Sequence, residues 1–245
     1  MKSKDIVIVG ILLGIGAIVR YFSLIAPGPI TSNLVIAFYS LAIVLVSVTI
    51  MEAVGIGIVA GIICALISHS LFPPANLISE PIGALVAVLT VLGITKIAGQ
   101  KERKDSTVGM VLTGLGLILM LVFAAVVSLD PTNAFGLTFL TTSINKIIFG
   151  AVSVLVTLAG LYLIPKKLQE YKAAITALTA TLASGLSFII VAAIVIFQMP
   201  GFLYTTKVPP LDVFVLSALP IVIGCAIINM ILAHILYIPA KKAMR

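Results

Sequence analysis

Charge is scarce in this 245-residue chain, because Asp, Glu, Lys and Arg together make up only 9% of it, whereas 61% is hydrophobic. The mean hydropathy is +1.30. A soluble domain of this length could not bury so much apolar surface, since its exterior must stay wet. The composition therefore excludes a soluble globular protein and predicts an all-α, polytopic transmembrane helix bundle.

Cysteine and histidine are also rare, with two of each. Cys64 and Cys225 lie inside apolar runs, where we interpret them as core residues rather than as a disulfide or a metal pair. His69 and His234 are expected on opposite sides of the membrane, which argues against a shared metal site. The sequence has neither a phosphate-binding G-x-x-x-x-G-K-[ST] motif nor a Ser-His-Asp arrangement. We therefore expect no metal, no cofactor and no enzymatic activity in this chain.

Eight apolar runs approach the length of about 20 residues that a membrane-spanning helix needs. Their approximate boundaries are 6–26, 33–50, 53–71, 80–98, 108–129, 143–164, 173–198 and 213–238. Met51 and Glu52 are the only residues between the second and third runs, which predicts a tight helical hairpin there. We expect the whole chain, residues 1–245, to form a single integral membrane domain.

Positive charge falls in alternate gaps between the predicted spans, with Lys207 as the exception. The residues concerned are Lys2, Lys4, Lys101, Arg103, Lys104, Lys166, Lys167, Lys172, Lys241, Lys242 and Arg245. Loops rich in Lys and Arg stay in the cytoplasm. We therefore expect a multi-pass protein of the cell (plasma) membrane with both termini in the cytoplasm.

Polar residues gather near the predicted outer ends of the spans. They are Arg20, Asn33, His69, Asn76, Ser79, Glu80, Asn145 and Lys146. Ionisable groups in a membrane are costly and usually mark function. A one-sided arrangement favours a binding pocket open to the outside over a through-pore, which needs polar residues along its length. These residues are therefore the candidate substrate-binding site.

For some of these side chains the sequence allows two interpretations. Arg20 suits a substrate carboxylate or phosphate, but a long cationic side chain can also extend to the lipid headgroups. Glu80 suits a substrate N–H, but it also favours the dipole at a helix N-terminus. Phe38 and Tyr39 are available to stack on a ring of the substrate. Asn229, inside the last run, is expected to make an interhelical hydrogen bond.

Small residues line one flank of two predicted helices and allow another helix to approach closely. In the third run they are Gly55, Gly57, Ala60 and Gly61, and in the first they are Gly10, Gly14 and Ala17. The stripe in the first run predicts either a docking surface for another membrane subunit or packing inside the bundle.

Several segments together resemble the substrate-binding S component of energy-coupling factor transporters, especially the tryptophan-transporter-like group. They are KDIVIVGILLGIGAIVR, TSNLVIAFYSLAI, EAVGIGIVAG, NLISEPIGA and LSALPIVIGCAIINMILAHIL. The resemblance implies a six-span core, with the extra pair of predicted spans around residues 108–164. It also implies capture of a vitamin or similar micronutrient at the outer side.

The same resemblance implies three partners, namely a transmembrane T component and two ATPase subunits, because this chain has no ATPase motif. Gly10, Gly14 and Ala17 would form the docking surface for them. Two other functions stay open. One is a structural or coupling subunit of a larger complex, and the other is an independent secondary transporter, which would have polar residues near the bilayer midplane.

Overall fold

A computed structural model describes residues 1–25, 31–98, 105–129, 136–198 and 210–243. Within these ranges all regular structure is helical, which confirms the all-α prediction. The helices are α1 (Ser3–Phe22), α2 (Val35–Val46), α3 (Ile50–Leu66), α4 (Asn76–Ala98), α5 (Thr107–Leu129), α6 (Ser143–Tyr162), α7 (Pro165–Glu170), α8 (Lys172–Gln198) and α9 (Leu211–Ala243). Short 3-10 turns occupy Ser23–Ile25, Pro73–Ala75 and Thr138–Leu140.

Six helices of the described ranges are long and apolar enough to cross a membrane, namely α1, α4, α5, α6, α8 and α9. The predicted spans 33–50 and 53–71 are shorter helices, since α2 has 12 residues and α3 has 17. At about 1.5 Å per residue they reach about 18 and about 26 Å, less than the roughly 30 Å of a hydrocarbon core. The structure thus has the helices of a multi-pass membrane protein, while the count of eight spans stays a prediction.

The chain divides into two compact units, each described by itself below. The first comprises Met1–Leu92 and Lys172–Arg245, and the second comprises Gly93–Tyr171. Helix α4 begins in the first unit and ends in the second. The expectation of one integral membrane domain stays a prediction.

Helix α2 is the centre of the first unit. Residues 35–44 are buried on every side of the helix, and α2 contacts α1, α3, α8 and α9. A helix that is hydrophobic all round is expected to be internal, and an internal helix need not have the length of a span. The other helices of the unit supply the rest of the apolar cluster, including Leu13 of α1, Ile56 of α3, Val88 of α4 and Ala180 of α8.

The break between α2 and α3 lies a few residues earlier than expected. Ser47 ends α2 in the left-handed conformation at φ 55°. Thr49 then caps α3, and its hydroxyl and backbone are bonded to Glu52 in a capping box. The sequence reading placed the break at Met51 and Glu52, but this box draws both residues into the first turn of α3.

Backbones of α3 and α4 approach closely at two glycines of the first unit. A Cβ on Gly57 would lie 2.6 Å from Cα of Pro81, and one on Gly61 would lie 2.7 Å from the carbonyl oxygen of Asn76. Three of the four small residues predicted to pack here, Gly57, Ala60 and Gly61, are buried, whereas Gly55 is exposed. The close approach brings the first turns of α4 against α3.

The second unit is built on α5 and α6, which pack through small residues. Gly116 lies against Thr157, and Gly160 lies against Thr113. Asp105 Oδ1 accepts hydrogen bonds from the backbone N–H groups of Lys166 at 2.8 Å and Lys167 at 3.3 Å, at the start of α7. The glycine contacts pack α5 against α6, and the Asp105 hydrogen bonds join the start of α5 to the segment that follows α6.

We expect Gly57→Ala to destabilise the protein by about 1–3 kcal/mol, because the added methyl group has no room beside Pro81. Gly55→Ala is the matched control on the same helix. A Cβ there meets no described atom within 4 Å, so the change is neutral or stabilises by up to about 1 kcal/mol. Thermal unfolding in detergent measures both. Equal stability of the two variants would show that α3 and α4 do not pack at Gly57.

Candidate functional site

A cavity inside the first unit is the candidate functional site. It holds about 370 Å³ of empty space, part of which is continuous with the surroundings. The part of this space that a water-sized sphere can occupy is about 30 Å³, which is room for about two water molecules. The lining comes from the segment before α2 and from α2, α4, α8 and α9: Thr31, Asn33, Ile36, Asn76, Glu80, Thr181, Ser184, Gly185, Phe188, Ile221, Val222 and Cys225.

Glu80 of α4 is the acidic residue in this lining, and it is 1% exposed. Its Oε1 accepts hydrogen bonds from Asn33 Nδ2 at 2.6 Å and from Ser184 Oγ at 2.8 Å. Ser79 Oγ is a third donor at 3.5 Å. Its other oxygen, Oε2, is buried and has no hydrogen-bond partner among the described residues. Oε1 therefore joins α4 to α8 and to the segment before α2, whereas Oε2 makes no hydrogen bond within the described part of the chain.

Local structure explains why Glu80 lies at this position. The 3-10 turn Pro73–Ala75 leads into α4, and Asn76 Nδ2 donates to the Pro73 carbonyl at 2.7 Å, which secures the turn. Asn76 and Glu80 are four residues apart and so lie on one face of α4. Both line the cavity. Of the predicted polar residues at the start of α4, Asn76 and Glu80 therefore face the cavity, whereas Ser79 does not line it.

Asn229 of α9 ties the site together from the other side. Its Nδ2 donates to the backbone carbonyl of Asn33 at 2.8 Å and to Thr181 Oγ1 at 3.0 Å. The predicted interhelical role of Asn229 is confirmed. Because Asn33 also donates to Glu80, the polar side chains of α4, α8 and α9 converge on the segment before α2.

Arg20 is buried at the end of α3 and does not line the cavity. Its Nε donates to the Ile67 carbonyl at 2.8 Å, and Nη2 donates to the Cys64 carbonyl at 3.1 Å. Nη1 lies 3.4 Å from the Ser32 carbonyl. The last carbonyls of a helix lack partners within the helix and carry partial negative charge. The guanidinium therefore caps α3, and at 1% exposure it does not extend outward to lipid headgroups.

The two aromatic residues expected to stack on a substrate lie outside the cavity lining. Phe38 packs on Gly16 of α1. The hydroxyl of Tyr39 lies against Gly83 and beside the Glu80 carboxyl group. Among the described residues, neither this hydroxyl nor Glu80 Oε2 makes a hydrogen bond of normal geometry. The aromatic ring in the lining is that of Phe188 on α8.

The remaining predicted site residues lie elsewhere. The side chain of His69 is exposed, and its backbone N–H donates to Thr31 Oγ1 at 2.9 Å. Asn145 and Lys146 belong to the second unit. There Asn145 Nδ2 donates to the Phe139 carbonyl at 2.6 Å, and Lys146 is buried. Of the ten predicted residues, Asn33, Asn76 and Glu80 line the cavity. Ser79 is not in the lining, but its hydroxyl contacts Glu80 Oε1.

Sequence reasoning missed the contribution of α8. Thr181, Ser184 and Phe188 recur at intervals of three and four residues, so they share one face of the helix. Hydroxyl residues on one face of a membrane helix indicate contact with other helices. That pattern, within the segment TALTATLASGLSF, was the available signal.

Comparisons of the chain with protein-family models, with curated proteins and with solved structures give no match. The fold and the site therefore define only a class of protein, namely a multi-pass helical membrane protein with a partly polar cavity between its helices.

We expect Arg20→Gln to destabilise the protein by about 3 kcal/mol, because it leaves carbonyls at the end of α3 without a charged donor. Lys4→Gln is the control, because Lys4 lies at the exposed start of α1, the helix that also carries Arg20. It removes a positive charge without a buried contact and should change stability little. Thermal unfolding in detergent checks both. An Arg20→Gln protein of normal stability that has lost solute binding would instead place Arg20 in the binding site.

Proposed function

We propose that this chain is the solute-capturing membrane subunit of an ATP-driven importer, similar to the S component of energy-coupling factor transporters. The observation that carries the proposal is the buried cavity at Glu80, whose Oε2 has no donor among the described residues. A carboxylate in a membrane helix is costly unless it is fully bonded. A solute that supplies the missing donor would remove that cost.

The proposed topology has both termini in the cytoplasm. Six helices are long enough to span, and α2 and α3 form a further pair joined by residues 47–49. A pair of helices that enters and returns leaves the chain on its original side, whether or not each member crosses fully. The Lys-rich gaps then all face the cytoplasm, as the positive-inside rule requires.

In this topology the cavity opens towards the outside. Asn33 and Asn76 lie just before or at the outer ends of α2 and α4, and Glu80 is one turn further in. A solute would enter between these ends and meet Glu80, Asn33 and Asn76 with its polar part. Its apolar part would lie against Phe188, Ile221 and Val222. The hydrophobic wall excludes water, which strengthens each polar contact.

Helix α1 supplies a surface for partner subunits in this proposal. Gly10 and Gly14 are exposed, and no described atom lies within 4 Å of the position that a Cβ would take on either. Ala17 continues the stripe and is half-buried. Exposed small residues let another membrane helix approach closely. A T component bound here, with two ATPase subunits, would supply the energy that this chain cannot generate.

Gly14→Leu should prevent partner assembly while solute binding persists, because the side chain fills a groove that is open in this protein. Gly114→Leu is the control, since Gly114 is also exposed and has no described atom within 4 Å of a Cβ. Native mass spectrometry of protein gently extracted from host membranes reports the partners. A wild-type protein bound to a large assembly without ATPases would favour the structural-subunit function instead.

Ser184→Ala should weaken solute binding about tenfold, because Glu80 Oε1 loses a short hydrogen bond inside the cavity. Ser187→Ala is the matched control one turn away, where the hydroxyl donates only to the carbonyls of Ala183 and Ser184 on its own helix. Titration of the co-purified solute against solute-free protein measures both affinities. Equal losses in the two variants would argue against a site at Glu80.

An independent secondary transporter is the second candidate, favoured by the depth of the polar network. Ser184 lies about 18 Å along the 27 residues of α8, so its contact with Glu80 reaches the middle of α8 although Glu80 is only one turn into α4. Polar contacts near the bilayer midplane are typical of secondary transporters. Purified protein reconstituted alone in liposomes distinguishes the two. Solute accumulation driven by an ion gradient would favour the transporter, and binding without accumulation would favour the importer subunit.

A further inference from the structure

The hydrogen-bond inventory of the cavity indicates what its solute must provide. Ser184 gives its hydroxyl proton to Glu80, and Thr181 gives its proton to the Ala177 carbonyl at 2.7 Å. Asn33 directs an N–H at Glu80, and Asn76 directs one at the Pro73 carbonyl. A hydroxyl group has one proton to donate and two lone pairs to accept with. Asn33 and Asn76 each keep a second N–H, and Thr181 Oγ1 already accepts from Asn229. In the lining that the structure describes, the buried acceptors of Glu80 are therefore only half used, because Oε2 has no donor.

Charge points in the same direction. Glu80 is the acidic side chain in the lining, and no Lys, Arg or His belongs to the part of the lining that the structure describes. The positive charge of Arg20 acts on Glu80 from outside the lining, but its donors are directed at backbone carbonyls. Arg20 therefore does not offer a donor to Glu80 Oε2 or to a bound anion.

We infer that the cavity selects a compact organic solute bearing a protonated amine or a similar cationic N–H group, which donates to Glu80 Oε2. This inference rests on the proposed function and names the substrate class of the same site. Hydrogen bonds between a cationic N–H and a carboxylate are the strong ones. A carboxylate or phosphate without such a nitrogen would meet the Glu80 carboxyl group and no cationic side chain in the described lining.

The rest of the cavity limits the solute to a small one with an apolar portion. Ile36, Ile221 and Val222 are aliphatic, and Phe188 adds an aromatic ring. An ammonium group near an aromatic ring gains further attraction. The enclosed space of about 30 Å³ is small, so an organic solute requires the helices around the cavity to move apart.

The test exposes detergent-purified wild-type protein to a protein-free aqueous extract of host cells and growth medium. The protein is washed and heated, and the released solutes are identified by mass spectrometry. We expect the main released solute to carry a protonatable N–H nitrogen and no net negative charge. The Glu80→Gln protein should retain about one tenth or less of the amount of this solute that the wild-type protein retains. Glu170→Gln is the control, because it changes an exposed carboxylate of the second unit, and it should retain the wild-type amount.

An anionic solute without such a nitrogen would overturn this inference while leaving a solute-binding function in place. Release of no solute from the wild-type protein would overturn both. Full retention of the amine by Glu80→Gln would overturn the role of Glu80. If Glu80→Gln does not fold, the chemical class of the wild-type solute still decides the inference.

Discussion

The hydrogen bonds of Glu80 Oε1 are the interaction on which the first unit depends. A carboxylate with 1% exposure in an apolar helix bundle costs several kcal/mol unless donors surround it. Those donors come from Asn33 before α2 and from Ser184 on α8. The three segments must therefore meet at one depth, which fixes how the helices are placed around the cavity. The same bonds leave Oε2 as the remaining acceptor.

Close backbone contacts make that meeting possible. Gly57 and Gly61 let α3 lie directly against the first turns of α4. Gly83 gives room to the Tyr39 hydroxyl one turn after Glu80. Arg20 donates to the carbonyls of Cys64 and Ile67, so two acceptors at the end of α3 are bonded inside the bundle. Small residues set the distances between helices, and the buried polar residues set their register.

The sequence was sufficient to predict the helices, because the lengths of apolar runs and the turn residues between them are local properties. The ends of α5, α6 and α8 agree with the predicted spans within two residues. The ends of a buried helix are harder to predict, because a helix such as α2 is apolar on every side and its sequence does not indicate its short length. The break at Ser47 depends on a capping box that extends α3 backwards.

The site could be predicted only in part. Asn33, Asn76 and Glu80 stand out as polar residues beside apolar runs. Ser184 and Thr181 do not, because a hydroxyl in a membrane helix usually bonds its own backbone, as Thr181 does to Ala177. The acceptors of Arg20 are main-chain carbonyls at the end of α3 and before α2, and no side-chain pattern reveals such partners. The separation of Asn145 and Lys146 into another unit is likewise a property of the tertiary fold.

Cys225 offers the most direct test that the cavity at Glu80 is the solute site. It lines the cavity, whereas Cys64 is fully buried outside the lining, so modification of Cys64 reports opening of the helix bundle rather than access to the cavity. The measurement is the rate at which N-ethylmaleimide modifies each thiol of wild-type protein, with and without the host-cell extract, followed by peptide mass spectrometry. We predict that the extract slows modification of Cys225 several-fold relative to Cys64, and that Glu80→Gln removes this protection. Modification of Cys225 at the same rate with and without the extract would contradict the account.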